Sequence, residues 1–213
     1  MAPDGSVYVG DLVNNRIQKF TSEGVFITKW GTEGSGDGQF ELPRGVAVAS
    51  DGSVYVVDNS NNRIQKFTSD GVFVTKWGTY GSGDGQFKYP NGVAVAPGGS
   101  VYVADAWNHR IQKFTSEGVF VTQWGTHGSG DGQFMNLPHD VAVASDGSIY
   151  VTDTDNHRIK RFTSEGVFVS QWGTEGSGDG QFDQPRGVAV APDGSVYVSE
   201  KDNHRIQKFS VGP

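Results

Sequence analysis

The 213-residue chain has no cysteine, which excludes disulfides, thiolate metal ligands and thiol nucleophiles and leaves the compartment unknown. Long apolar runs are missing too. The longest uninterrupted ones are about five residues, against the roughly 20 that a membrane-spanning helix needs, so no membrane role is expected. Positive charge is in short supply: 17 Lys and Arg face 24 Asp and Glu, and the net charge of −7 argues against a polyanionic partner or an anionic membrane surface.

What is abundant is self-similarity. The text from Ser53, SVYVVDNSNNRIQKFTSDGVFVTKWGTYGSGDGQF, returns from Ser100 as SVYVADAWNHRIQKFTSEGVFVTQWGTHGSGDGQF, and related text starts at Ser6, Ser148 and Ser195. Trp30, Trp77 and Trp124 stand 47 residues apart and Trp172 follows after 48. A fixed period in this range marks a repeat architecture. The chain reads as one domain over residues 1–213, with repeats at approximately 1–44, 45–91, 92–139, 140–186 and 187–213. It starts and stops within a repeat, which suggests a piece of a longer protein, with a short natural gene as the alternative. Ala2 to Ser6 already copy Ala191 to Ser195, so no secretory leader is expected.

Each full copy carries four short runs rich in β-branched and aromatic residues: Gly45 to Val48, Val54 to Val57, Arg63 to Phe67 and Phe73 to Trp77. The runs are too short for helix. Asp51-Gly52 and Asp70-Gly71 predict tight turns between strands one and two and between three and four. The longer loops, Asp58 to Asn62 and Gly78 to Asn91, then emerge together on the opposite face. Four-stranded antiparallel units repeated radially make an all-β propeller, and the small-sided Gly-Val-Ala-Val strand suits its crowded axis.

The string Asp105-Ala106-Trp107-Asn108-His109-Arg110-Ile111-Gln112-Lys113-Phe114, with Gly132-Gln133-Phe134 and Pro138 before the next Val-Ala-Val, resembles the NHL repeat. Asn-His recurs at 108/109, 156/157 and 203/204 and becomes Asn-Asn at 14/15 and 61/62, while Arg-Ile replaces the Leu of the name. The resemblance implies a propeller, commonly of six blades, acting as a binding platform for protein, RNA or small ligands. Eighteen strands can be counted, short of six blades. Five blades with three-stranded ends is the favoured arrangement. Four closed blades with a spare hairpin, and a ring completed by a second molecule through unpaired edges, are the alternatives.

Residues repeated in every copy read as scaffold. An acid ends strand two and an arginine opens strand three: Asp11 with Arg16, Asp58 with Arg63, Asp105 with Arg110, Asp153 with Arg158 and Glu200 with Arg205. Paired through the planar guanidinium fork, each would pin the loop between them. Active sites are normally built from unlike residues, so no catalytic residue is assigned. His109, His157 and His204 fall one per blade without a second ligand at metal spacing. The Gly-Ser-Gly-Asp-Gly-Gln-Phe text lacks the alternating oxygens of a calcium loop and the Lys-Ser/Thr of a phosphate loop. No metal and no cofactor is expected.

The copies differ mainly on the long loops. One sector, Tyr80, Tyr89, Trp107, His127, Met135, Asn136 and His139, concentrates aromatic and sulfur-bearing groups of the kind that anchor interfaces. The expected function is a non-enzymatic scaffold presenting this variable face to a protein or peptide partner. The alternatives are a structural or engineered repeat protein with no ligand, an RNA-binding domain, which the acidic charge disfavours, and a propeller lyase or lactonase-like enzyme. For the enzyme, His139 with Asp140 is the one candidate pair. As neighbours on a strand they point to opposite faces.

Overall fold

The computed structural model describes residues 2–135 and 137–210. Among these, eighteen strands form five antiparallel sheets, each a meander in chain order. Blade 1 contains β1 (Val7–Asp11), β2 (Arg16–Phe20) and β3 (Phe26–Trp30). Blade 2 contains β4 (Pro43–Val48), β5 (Val54–Asp58), β6 (Arg63–Phe67) and β7 (Phe73–Trp77). Blade 3 contains β8 (Val93–Val95), β9 (Val101–Asp105), β10 (Arg110–Phe114) and β11 (Phe120–Trp124). A short parallel pair, β12 (Thr126–His127) with β13 (Gln133–Phe134), lies in the next crossover. Blade 4 contains β14 (Pro138–Val143), β15 (Ile149–Asp153), β16 (Arg158–Phe162) and β17 (Phe168–Trp172). Blade 5 contains β18 (Pro185–Val190), β19 (Ser195–Glu200) and β20 (Arg205–Ser210).

This is a five-blade β-propeller with three-stranded ends. The four-blade arrangement is not adopted, because β3 pairs with β2 of its own blade and leaves the C-terminal sheet at three strands. Strand one is longer than the expected Gly45–Val48: it begins at Pro43, with a register irregularity before Val46 that absorbs the proline. Gly52 and Gly71 close the tight turns at φ of 84° and 83°, a conformation that glycine adopts without steric cost.

The core lies between blades, not within one. Ile64 and Tyr55 of blade 2, with Phe87 of the following crossover, pack on Val101, Val103 and Phe114 of blade 3, and equivalent clusters join blades 1 and 2, 3 and 4, and 4 and 5. The first three of these interfaces have a polar tie: the hydroxyls of Tyr8, Tyr55 and Tyr102 donate to the carbonyls of Ser69, Ser116 and Ser164 in the following blade at 3.1–3.2 Å. Phe40, Phe87, Phe134 and Phe182 close the gaps at the crossovers without solvent exposure.

Among the described residues no such cluster joins blade 5 to blade 1. At this seam core-type side chains face outward. Val9 is 42% exposed, Tyr197 37% and Ile206 69%, whereas their repeat equivalents Val56, Tyr55 and Ile64 are at most 1% exposed.

Candidate functional site

The long loops meet at one end of the propeller, as the connectivity requires. Asp58 organises the blade 2 loop: its carboxylate accepts from Arg63 Nε at 2.7 Å and from the Glu41 amide at 2.8 Å, with Asn61 and Gln65 as further donors. The rest of the Arg63 fork grips the crossover from blade 1, donating to the carbonyls of Ser35, Gly36 and Gln39. Asp105 with Arg110 repeats this arrangement at 2.7 Å, as do Glu200 with Arg205 at 2.7 Å and Asp153 with Arg158 at 2.8 Å. Asp11 and Arg16 pair at 2.7 Å. At the position of Gln65, Gln112 and Gln207, blade 4 has Lys160, whose buried ammonium donates to the carbonyls of Gly130, Asp131 and Gln133. Burial lowers the pKa of Lys160 to about 8.

Fixed in this way, the loops impose unusual backbone on two sets of residues. Asn15, Asn62, His109, His157 and His204 all take positive φ of 50–54°, so the second letter of the Asn-His pair is the left-handed residue of the turn. Tyr89 also has positive φ, 46°, as do Leu42 and Gln184 in the equivalent turns. The Tyr89 turn brings its ring against Trp107, with centroids 5.7 Å apart. Tyr89 and Trp107 remain 41% and 60% exposed.

This aromatic pair forms one wall of a cavity of about 400 Å³ also lined by Arg44, Asn91, His139 and Arg186. The last four residues are repeat equivalents, each following the crossover proline, and they surround the propeller axis. They also line a second cavity of about 310 Å³ that leads past Gly45, Gly92 and Asp140 toward the channel between the inner strands. Burial, reinforced by Arg186 and then Arg44, holds His139 down at about 4, so its ring is neutral at neutral pH. Burial and the nearby Arg186 also lower the pKa of Arg44. Asp140 is pushed up to about 7 by burial, although its oxygens accept the Val141 and Val188 amides.

The structure divides the expected sector. Tyr89, Trp107 and His139 come together at the axial cavity. Tyr80 and His127 stand on the crossovers, with Lys88 Nζ 5.8 Å from the Tyr80 ring centroid and His109 4.8 Å from the His127 ring. Met135 is half-buried, its amide donating to Asp153. Asn136 lies outside the described residues. The site reading missed Arg44, Asn91 and Arg186. Their signal was the residue after the crossover proline, which changes from copy to copy, but its convergence on the axis is visible only once the blades are stacked.

A family model described as NHL repeat matches residues 40–67, 87–114, 135–162 and 182–209. No curated protein sequence matches the chain. A chain of a nidogen/laminin complex is similar in structure, with a TM-score of 0.73 at 18% identity over 98% of this chain and 72% of that one. A virginiamycin B lyase from Staphylococcus aureus matches with a TM-score of 0.67 at 18% identity over 100% of this chain and 69% of the lyase. A protein of unknown function from Bacteroides caccae matches with a TM-score of 0.68 at 15% identity, over 97% and 69%. At these identities the likeness shows the fold alone.

Proposed function

This chain belongs to the NHL-repeat family, and on that premise we propose that it is a non-enzymatic binding propeller whose loop face receives a protein or peptide. The observation that carries this reading is the Trp107–Tyr89 pair, exposed at the rim of the axial cavity on loops that the acid–arginine network holds rigid. Rigid aromatic side chains bury much area at low entropic cost, and pre-ordered loops reduce the ordering penalty on binding. A chain of similar fold is a component of a nidogen/laminin complex, which is compatible with this reading.

The test is a selection of random displayed peptides on the whole chain, followed by affinity measurement on Trp107→Ala and Tyr89→Ala proteins. We expect the selected peptides to bind at least about tenfold more weakly to the double variant, the loss typical of interface anchors. Selected peptides indifferent to both substitutions would remove this face from consideration.

A further inference from the structure

We propose that the axial cavity is a carboxylate receptor, in which Arg44 and Arg186 hold one carboxylate of a peptide ligand while Trp107 and Tyr89 cover the apolar side chain beside it. This rests on the binding-face reading and names the ligand class. The chain has eight arginines. Arg16, Arg63, Arg110, Arg158, Arg161 and Arg205 each have a carboxylate oxygen within 2.7–3.1 Å. Arg44 and Arg186 are the two without an acid partner among the described residues, and they line the same cavity.

Two like charges brought together without a counter-ion repel each other, and because both side chains are exposed to solvent the cost to the empty site is modest. An anion seated between them relieves that cost and gains the bidentate geometry that guanidinium offers a carboxylate. The one acid that lines these cavities, Asp140, is committed to the backbone amides of Val141 and Val188 and is not paired with either arginine. His139, neutral beside both arginines, adds a polar group without further charge.

Charge outside the cavity decides the kind of anion. On the same loop face Glu33, Glu41, Glu175 and Asp202 are exposed and Asp183 is half-exposed. A polyphosphate chain would leave the two arginines and run over these acids, whereas nucleic-acid binding needs a continuous cationic track. A ligand with a single carboxylate, an apolar neighbour and cationic flanks fits both the cavity and its surroundings.

The probes are N-acetylphenylalanine, N-acetylphenylalaninamide, N-acetyl-aspartyl-phenylalaninamide and decauridylate. Each is titrated into the whole chain and followed by arginine side-chain and tryptophan indole NMR signals. We expect the free acid or the aspartyl peptide to bind at least about tenfold more tightly than the amide. Preference for the free acid assigns a peptide C-terminus, and preference for the aspartyl peptide assigns an acidic side chain. The Arg44→Gln/Arg186→Gln protein should lose that preference while its remaining spectrum is unchanged. If that protein unfolds, the single variant Arg186→Lys serves, with a smaller loss. Equal binding of acid and amide overturns the inference, and so does tighter binding of decauridylate that depends on the same arginines. If Trp107→Ala weakens all the peptide probes and the arginine substitutions weaken none, the carboxylate inference fails and the binding face stands. If no probe responds to either set, both fail.

Discussion

The Asp140 carboxylate of blade 4 accepts the Val188 amide of blade 5 at 3.1 Å, a side-chain bond across the axis-lining strands at a position where the other complete or inner-stranded blades have Gly45, Gly92 and Gly187. Both its oxygens take amide protons, yet burial raises its pKa from 3.8 to about 7. In the folded state the group therefore binds its proton more tightly than in the unfolded state. This contribution to stability is full below pH 4 and is lost as pH rises from about 4 to 7. The rise corresponds to up to about 4 kcal/mol. Chemical denaturation of Asp140→Gly from pH 4.5 to 8 should show this loss removed relative to the parent. Parallel pH profiles for the two proteins would show that the carboxyl ionises normally.

A second prediction follows from the seam. Ile206 and Ile111 occupy the same repeat position, but Ile206 is 69% exposed and Ile111 is fully buried between blades 3 and 4. Ile111→Ala should cost about 2–5 kcal/mol, the range for emptying a packed core site, while Ile206→Ala should cost under about 1 kcal/mol. Urea unfolding of the two variants measures the difference. Similar losses would mean that blade 5 is covered in solution, and a concentration series by light scattering would then identify a second copy as the cover.

How much of this was legible beforehand depends on whether a feature recurs within one repeat or arises between repeats. Strands such as Arg63–Phe67 and Phe73–Trp77 were readable to the residue, because alternation and glycine turns are local signals. Pro43 was not readable as strand, since proline donates no ladder bond and the irregularity that accommodates it leaves no pattern. Tyr89 and Trp107, which line the axial cavity, were legible as candidates because they are conspicuous side chains on variable loops. Arg44 and Arg186, on blades 2 and 5, were not joined, because nothing along the chain states that residues 142 positions apart share one axis.

Lys160 offers a test of the repeated network. Its ammonium satisfies three crossover carbonyls where the other crossovers use glutamine; in blade 2, for example, Gln65 donates to the Gln39 carbonyl at 2.7 Å and accepts the Gly38 amide at 3.0 Å. Lys160→Gln should therefore be tolerated within about 1 kcal/mol. Lys160→Met keeps the length but leaves buried carbonyls unpartnered, at about 1–3 kcal/mol. Thermal unfolding of both distinguishes them, and equal loss would show that the network in blade 4 cannot adopt the geometry of its neighbours.

Glycines in equivalent turns separate backbone strain from packing. Gly24 and Gly118 have nearly the same positive φ, 81° and 84°, so an alanine at either meets a similar local penalty of about 1–2 kcal/mol. Their surroundings differ. A Cβ on Gly24 meets nothing within 4 Å, whereas one on Gly118 lies 2.4 Å from the Trp77 ring, which the preceding blade lays across the turn. Gly118→Ala must displace that indole from its contact with Phe114, 5.9 Å between ring centroids, adding an overpacking cost of about 1–3 kcal/mol. We expect Gly118→Ala to be the less stable of the two and to alter the near-ultraviolet circular dichroism of the tryptophans, while Gly24→Ala leaves that spectrum intact. Equal stabilities with unchanged spectra would mean that Trp77 has room to move, and that the blades are packed more loosely than their buried phenylalanines indicate.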